Sequence, residues 1–283
     1  MKDNFCYFNG ETVKFSEIKI SPFDLGFVRG YGIFDALRTT ANGAPFCLRE
    51  HWEKLEKSAR ELCLNLPISQ NDFEKIILEL LKINNLKEAA VKTILTGGQS
   101  SNGFKSAEGF TFLIIASDLQ DFSLQDLVYQ EGVKIISHEH QRFLPEIKHL
   151  NYLIPLSLRK IKEEKSAFEI LYKKDGKILE CSTSNIFLVK DNCLITAQEK
   201  VFKGTTRNLT LELARKNGLK TEERAIDFSE IETADEIFLT ATYKKIVPVV
   251  QIDEIKIGNG QAEKTTKTVM DLLDEFLANY DGK

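Results

Sequence analysis

Four short apolar segments follow one another between residues 167 and 196, and this run limits the fold more than any other feature of the chain. The segments are Ala167 to Tyr172, Lys177 to Glu180, Ile186 to Val189 and Cys193 to Thr196. Asp175-Gly176 separates the first pair and Asp191-Asn192 the last pair, and such residues favour tight turns between antiparallel strands. A doubly wound parallel sheet needs a helix after nearly every strand. The run therefore predicts an α+β fold.

The first part of the chain changes from strand to helix periodicity. Two hairpins with Asn-Gly turns are predicted, Phe5 to Asn9 with Thr12 to Phe15 and Ile33 to Thr40 with Pro45 to Leu48. Two apolar stripes at helical spacing follow, Trp52, Leu55, Ala59, Leu62 and Leu66, and then Phe73, Ile76, Ile77, Leu80 and Leu81 after a cap at Ser69 or Asn71. Val91 to Thr96 and Phe110 to Ala116 then predict two strands.

A polar, interrupted segment beginning at Asp118 indicates a domain junction. We expect an N-terminal α+β domain at 1–118, a connection at 119–132 and a C-terminal α+β domain at 133–283. The second domain should begin with a strand at Val133 and contain further strands at Glu236 to Thr242 and Val247 to Ile252. Helices are predicted from Leu150 to Ile161, from Thr205 or Thr206 to Asn217-Gly218, and around Val269 to Leu277.

Composition excludes several classes of function. The 283 residues are 42% hydrophobic and 28% charged, as in soluble globular proteins. The formal net charge of -4 provides no positive field for nucleic acid, and no apolar run approaches the roughly 20 residues that span a bilayer. Five cysteines without a Cys-x-x-Cys pair or zinc-ligand spacing indicate buried, reduced thiols in a cytoplasmic protein without a metal site. The start of the chain has no apolar stretch of signal-peptide length.

The segment Lys203 to Arg207 could bind a phosphate. A glycine followed by two threonines at a predicted helix start offers unpaired backbone N–H groups beside hydroxyl donors. Thr240 and Thr242, at the end of a predicted strand, could reach the same anion. The simpler interpretation is helix capping by Thr205 alone.

Lys148 and Glu180 could carry chemistry on an aldehyde cofactor. Apolar neighbours of Lys148 would disfavour its ammonium form, and a neutral lysine attacks aldehydes. A carboxylate at a strand end, as at Glu180, can hold a cationic ring nitrogen. Taken locally, a surface lysine and a solvated strand end are the simpler interpretations of these two residues. Gly26, Gly30 and Gly32 match no phosphate-binding fingerprint and are typical of turns and close packing.

A nucleophilic lysine, a carboxylate for a ring nitrogen and a phosphate-binding helix start are together what pyridoxal 5'-phosphate (PLP) requires. The matching segments are Arg29 to Asp35, His51 to Leu55, Lys148 to Asn151, Glu180 to Phe187, Lys203 to Arg207 and Ala234 to Glu236 through Val249. In this order they resemble the class IV, or fold type IV, PLP enzymes. These include branched-chain and D-amino-acid aminotransferases and 4-amino-4-deoxychorismate lyase. The resemblance implies a two-domain, D-amino-acid aminotransferase-like fold and a homodimer.

The resemblance also assigns roles to individual residues. It implies that Lys148 attaches the cofactor covalently and moves the substrate proton, and that Glu180 pairs with the pyridine nitrogen. The phosphate would be bound by Thr205, Thr206 and Thr242, and the phenolate oxygen by Tyr152. Lys54 stands where the family commonly has arginine and is expected to contact the phosphate, with the charge kept but the planar fork lost.

The substrate is less constrained than the cofactor. The segment Thr96 to Ser101 lacks the basic residue that many relatives use for the substrate carboxylate, and Tyr31, Arg38, Arg29 and Lys105 are candidate replacements. Phe34, within an apolar strand, favours a hydrophobic side-chain pocket. We expect transfer of an amino group between a branched-chain amino acid and a 2-oxo acid. The alternatives are a D-amino-acid aminotransferase, an aminodeoxychorismate lyase and a relative that binds PLP without catalysis.

Overall fold

The structure is a computed structural model that describes residues 3–105, 109–122 and 124–282. These residues form two compact units. The first unit contains the described residues up to 122, the segment Ile147–Asn151 and residues 277–282. The second unit contains Leu124–Glu146 and Tyr152–Phe276. The first division falls inside the connection expected at 119–132, and the domain ends at 118 and 133 stay a prediction.

The first unit is an antiparallel sheet with helices packed on one face. Its strands are β1 (Phe5–Phe8), β2 (Glu11–Lys14), β3 (Gly32–Arg38), β4 (Ala89–Thr96) and β5 (Thr111–Asp118), in the order β2-β1-β5-β4-β3. Its helices are α1 (Leu25–Arg29), α2 (Leu48–Glu61) and α3 (Gln70–Ile83). The predicted stripes of α2 and α3 bury Trp52, Leu55, Phe73 and Ile77 in one core with the inner face of the sheet. Burial of these side chains stabilises the unit by about 1.5–3 kcal/mol each.

The structure confirms the first predicted hairpin and corrects the second. Asn9 and Gly10 have φ angles of 50° and 105° and connect β1 to β2. The segment from Pro45 forms no strand, and β3 pairs instead with β4. Pro45 makes only an isolated bridge to Thr39, and Cys47, with φ 49°, turns the chain into α2. Pro45 has no N–H to donate to a ladder, and the left-handed backbone of Cys47 two residues later turns the chain away, so the segment cannot continue as a strand.

The second unit is built on a mixed sheet of ten strands. The strands are β6 (Val133–Glu139), β7 (Glu169–Lys174), β8 (Lys177–Cys181), β9 (Asn185–Lys190), β10 (Cys193–Thr196), β11 (Lys220–Glu223), β12 (Ile226–Asp227), β13 (Glu236–Ala241), β14 (Lys245–Ile252) and β15 (Ile255–Lys256). The order is β11-β10-β9-β13-β14-β6-β7-β8-β12, with β15 on β14. Most neighbours are antiparallel, and β7-β8 and β9-β10 are the predicted hairpins. The antiparallel pairing confirms the α+β prediction.

The helices of the second unit are α4 (Asp126–Glu131), α5 (Leu153–Ser157), α6 (Arg159–Glu164), α7 (Thr205–Lys216) and α8 (Lys264–Asn279), and the last residues of α8 are grouped with the first unit. The helix predicted from Leu150 to Ile161 is wrong at its start. Leu150 donates its N–H to the carbonyl of Gly32 and lies in an extended segment, and the helical part is divided between α5 and α6. In the described part of the chain, no helix is long and apolar enough to cross a membrane.

The cysteines are free, as expected, but they are not all buried. Cys6, Cys181 and Cys193 are buried and Cys47 is half-buried. Cys63 is exposed because it follows the end of α2 in a left-handed conformation, with φ 53°, which leaves its side chain at the surface.

Candidate active site

Lys148 lies on a short extended segment that continues the sheet of the first unit beyond β3. The amide of Phe34 donates to the carbonyl of Lys148 over 2.8 Å, and Leu150 donates to Gly32 over 3.0 Å. Ile147 enters the core of the unit, so the next side chain points to the other face of the segment. The Lys148 Nζ lies 4.9 Å from the centre of the Phe34 ring. Lys148 is half-buried, so part of its side chain packs against the protein rather than facing solvent.

A buried pair of titratable residues lies on the opposite face of β3. The Asp35 Oδ2 is 2.5 Å from the His51 Nδ1, and both side chains are almost completely buried. Burial opposes ionisation of Asp35, but the charges of His51, Lys148 and Lys54 together hold the pKa of its carboxyl below the ordinary value. The His51 Nε2 is buried and has no hydrogen-bond partner among the described residues. This pair was not predicted from the sequence.

Lys54 lies one turn of α2 after His51. Burial lowers the pKa of its ammonium to about 8, with Lys148 acting in the same direction. The negative charges of Asp35 and Glu50 oppose the shift and do not cancel it. Lys54 therefore changes its charge near neutral pH, which an arginine would not do.

The three predicted substrate residues lie in or next to β3. Phe34 and Arg38 share the outer face of the strand because they are separated by four positions. Arg38 is buried and donates from Nε to the carbonyl of Thr39 over 3.3 Å. Tyr31 packs against the core, and its hydroxyl donates to the carbonyl of Leu62. Burial raises the pKa of Tyr31. Their roles toward substrate stay predictions.

Glu180 lies near the end of β8, buried and doubly hydrogen-bonded. Its Oε1 accepts from Nε of Arg142 over 2.7 Å, and its Oε2 accepts from the amide of Phe202 over 3.0 Å. Arg142 also donates to the carbonyl of Pro145. The interpretation of Glu180 as a solvated strand end is therefore wrong. A charged partner and an amide donor both favour the carboxylate form.

Two tyrosines lie near this ion pair in the second unit. Tyr152 immediately precedes α5, and Tyr172 lies on β7. Burial raises the pKa of both hydroxyl groups, and the nearby positive charge of Arg142 partly opposes this effect. Both are therefore neutral hydroxyl groups near pH 7, able to donate a hydrogen bond.

The start of α7 has the features of an anion site. Thr205 and Thr206 are buried first residues of the helix, and Gly204 is the residue before it. The residue at the cap position is Gly204, which has no side chain to cap the helix. The simpler interpretation, capping by Thr205 alone, is therefore wrong. The Asn185 Oδ1 accepts from the Gly204 amide over 3.2 Å. A Cβ at this glycine would lie 2.7 Å from the same oxygen, so the close approach requires glycine.

Thr240 adds an unexplained hydroxyl beside this helix start. It lies directly opposite Asn185 in the β13-β9 ladder, so the two side chains share one face of the sheet. Its Oγ1 is buried without a hydrogen-bond partner among the described residues. A buried unpaired hydroxyl costs about 1–3 kcal/mol, and a bound oxyanion would remove that cost. Thr242 follows β13 in a turn and is half-buried.

The predicted residues are thus divided between the two units. Lys54 and Lys148, with the three β3 candidates, lie in the first unit, and Tyr152, Glu180, Thr205, Thr206 and Thr242 lie in the second. Sequence reasoning missed Arg142 and Asn185. Nothing in the local sequence distinguishes Arg142, whereas Asn185 follows three hydroxyl residues in the polar stretch after Glu180.

Comparisons with known proteins agree on one family. Residues 32–252 match the family model described as amino-transferase class IV. The chain is 31% identical to a putative branched-chain-amino-acid aminotransferase of Methanocaldococcus jannaschii and to a D-alanine aminotransferase of Bacillus licheniformis, each match covering 98% of both chains. The branched-chain amino acid aminotransferase of Escherichia coli superposes with a TM-score of 0.89 at 23% identity, covering 99% of this chain and 97% of that one. A second branched-chain amino acid aminotransferase, solved with pyridoxamine 5'-phosphate, superposes with a TM-score of 0.91. The likeness confirms the fold type IV prediction.

Proposed function

The chain belongs to the class IV aminotransferases, enzymes that depend on PLP and transfer amino groups between amino acids and 2-oxo acids, and we propose that it holds this cofactor through Lys148, Glu180 and the start of α7. The observation that most supports this is the environment of Glu180. A buried carboxylate that is paired with Arg142 can also accept a charge-assisted hydrogen bond from a protonated pyridine nitrogen.

The phosphate end fits the second unit as well. The buried Thr205 and Thr206 begin a 12-residue helix, whose N-terminus favours anions. The unpaired hydroxyl of Thr240 lies on the same sheet face as the asparagine that holds the helix start. With Thr242 and Lys54, these groups would bind the phosphate. The Tyr152 hydroxyl would donate a hydrogen bond to the phenolate oxygen of PLP.

When bound, PLP supplies an electron-accepting ring that stabilises negative charge on the substrate α-carbon. The chain supplies the remaining functions. The Lys148 Nζ would bind the cofactor, and after release by the substrate it would carry the proton to and from the α-carbon. The Glu180 carboxylate would keep a proton on the ring nitrogen. The helix start would hold the phosphate in place while the Lys148 side chain moves.

We propose a substrate with an apolar side chain, of which branched-chain amino acids are the favoured class. Phe34 supports this because its ring flanks the Lys148 ammonium and offers an apolar contact beside it. The relative from Methanocaldococcus jannaschii supports the same substrate class. The equally similar D-alanine aminotransferase makes D-amino acids the second candidate. By the family resemblance, we also expect a homodimer, and we expect it in the cytoplasm. Light scattering on purified protein tests the dimer.

The decisive experiment is covalent trapping. Purified protein incubated with PLP and then borohydride should gain the cofactor mass on the peptide that contains Lys148. The Lys148→Ala variant should lose this label, and Lys92→Ala is the matched control because its ammonium lies 5.5 Å from the centre of the same Phe34 ring. Protein that takes up no label, or a label elsewhere that survives in Lys148→Ala, contradicts the proposal.

The substrate is tested separately on the loaded enzyme. L-leucine, D-alanine and aminodeoxychorismate are supplied one at a time, and the absorbance of the pyridoxamine form and the release of pyruvate are recorded. The proposal predicts the pyridoxamine spectrum with L-leucine. A response to D-alanine alone favours the D-amino-acid enzyme. Pyruvate from aminodeoxychorismate without the pyridoxamine form favours the lyase.

A further inference from the structure

Glu169 is a second buried carboxylate in the second unit, and none of the roles above involves it. It lies at the start of β7, 3% exposed, and receives hydrogen bonds from three consecutive residues of the turn after β8. Its Oε1 accepts from the Ser182 hydroxyl and from both the amide and the hydroxyl of Thr183. Its Oε2 accepts from the Ser184 hydroxyl over 2.8 Å. Both oxygens of this carboxylate thus hold one short turn.

Lys244, in the turn between β13 and β14, also contacts the Glu169 carboxylate. The Lys244 Nζ lies 2.7 Å from the Glu169 Oε2 and donates to the hydroxyl groups of Thr183 and Ser184 over 2.6 and 3.2 Å. The ammonium group therefore uses all three of its donors on this cluster. Burial opposes ionisation of Glu169, but Lys244 and the hydroxyl donors hold its pKa below the ordinary value. We call Glu169, Lys244 and residues 182–184 the turn clamp.

The turn clamp joins the two segments that carry the proposed cofactor contacts of the second unit. Residues 182–184 lie between Glu180 and Asn185, the residue that fixes the start of α7. Lys244 comes two residues after Thr242 and four after Thr240. A shift of either turn would change the spacing between the ring-nitrogen partner and the phosphate donors. A buried ion pair is weak evidence for stability, since apolar residues of the same size serve as well.

We propose that Glu169 and Lys244 are positioning residues for the cofactor, which keep the turn after Glu180 and the turn after Thr242 in one fixed arrangement. The inference rests on the proposed function, since it assigns Glu180 and Thr242 to the same ligand. Glu169 and Lys244 act through these turns and contact no cofactor themselves. Removal of one partner leaves the other charge buried and also destabilises the fold, so cofactor affinity is compared among variants that fold.

The test measures the Kd of PLP for the apoprotein by equilibrium dialysis, beside the unfolding free energy of the apoprotein in guanidinium. Lys244→Met should weaken PLP binding by about 10-fold or more, as is typical when a partner that orients a ligand group is removed. Lys244→Arg, which keeps the charge, should restore most of the affinity. Lys245→Met is the matched control, because the adjacent Lys245 forms an exposed pair with Asp274 and should bind PLP like the parent.

A second variant covers the case in which Lys244→Met does not fold. Thr183→Val removes one hydroxyl from the turn clamp without changing side-chain size and should weaken PLP binding by about 5-fold, the effect of one lost hydrogen bond. The phosphorus NMR shift of bound PLP should move in the same variants and stay unchanged in Lys245→Met. Parent-like Kd values in Thr183→Val and in any folded Lys244→Met or Glu169→Gln protein overturn the inference. A parent chain that binds no PLP overturns the proposed function, and with it this inference.

Discussion

The strongest test of the first unit is the replacement of Lys54 by arginine, read as a function of pH. Lys54 has a pKa of about 8 because burial disfavours its charge. Its ammonium is about nine-tenths formed at pH 7 and about one-tenth formed at pH 9. If Lys54 binds the cofactor phosphate, the chain loses one positive ligand over these two pH units. Arginine stays charged throughout.

The magnitude follows from the same pKa. When only the charged form of Lys54 binds the phosphate, the Kd of PLP should rise about 10-fold between pH 7 and pH 9 from this residue alone. The charges that face Lys54, from Asp35, Glu50, Cys47 and Lys148, and the phosphate itself are shared by the parent and the Lys54→Arg variant. The assay is therefore the ratio of the Kd of the parent to the Kd of Lys54→Arg, in which those contributions cancel. A ratio that is constant from pH 7 to pH 9 refutes the reasoning.

The apoprotein gives an independent check on the same residue. The pKa of Lys54 falls from 10.5 to about 8 on folding, so the unfolded chain holds the proton more tightly and the native state is penalised below pH 8. The difference corresponds to up to about 3 kcal/mol, and the penalty disappears as the pH rises from about 8 to 10.5. The Lys54→Met apoprotein should be more stable than the parent at pH 7 and about equally stable near pH 10.5. Equal stability at both pH values contradicts the burial that lowers the pKa.

Three further substitutions test the packing and the ion pairs. Arg142→Leu leaves Glu180 buried without its charged partner. Because the two side chains are only 10% and 7% exposed, the apoprotein should lose about 3–5 kcal/mol of unfolding free energy. Guanidinium titration beside the Arg142→Lys control measures this, and a loss below about 1 kcal/mol is inconsistent with it. Ile77→Ala, at a fully buried position, should lower the unfolding free energy by about 2–5 kcal/mol. Leu78→Ala, on the exposed side of the same helix, should change it by about 0.5 kcal/mol or less. Equal losses in the two variants contradict the assignment of the core. Ser69→Ala removes the hydroxyl that caps α3 and should cost about 1 kcal/mol, with Ser69→Asn retaining most of the cap; no change in thermal unfolding argues against the cap.

Sequence reasoning succeeded where a structure is closed by neighbours along the chain. The Asn9-Gly10 turn, the Ser69 cap and the helix beginning at Thr205 depend on residues within a few positions of one another. Turn and cap preferences act over that distance and are therefore visible in the sequence.

The errors arose where a segment takes its partner from far along the chain. Leu150 carries a helical pattern, yet its N–H is used by Gly32, more than a hundred residues away, and the segment is extended. Pro45 follows a turn signal, yet β3 pairs with β4, which begins more than forty residues later. Local propensity is a weak preference of roughly a few tenths of a kcal/mol per residue, and a ladder of hydrogen bonds with core burial outweighs it.

The residues that hold the proposed site were the least predictable, and this follows from their task. Arg142 has no local signature, because its importance comes from the position of Glu180, 38 residues away. Glu169 and Lys244 are separated by 75 residues and join two turns that the sequence cannot place side by side. A residue that contacts a cofactor must have a particular chemistry and can be recognised by it. A residue that positions another needs only to lie in the right place, so its function can be inferred only once the fold is known.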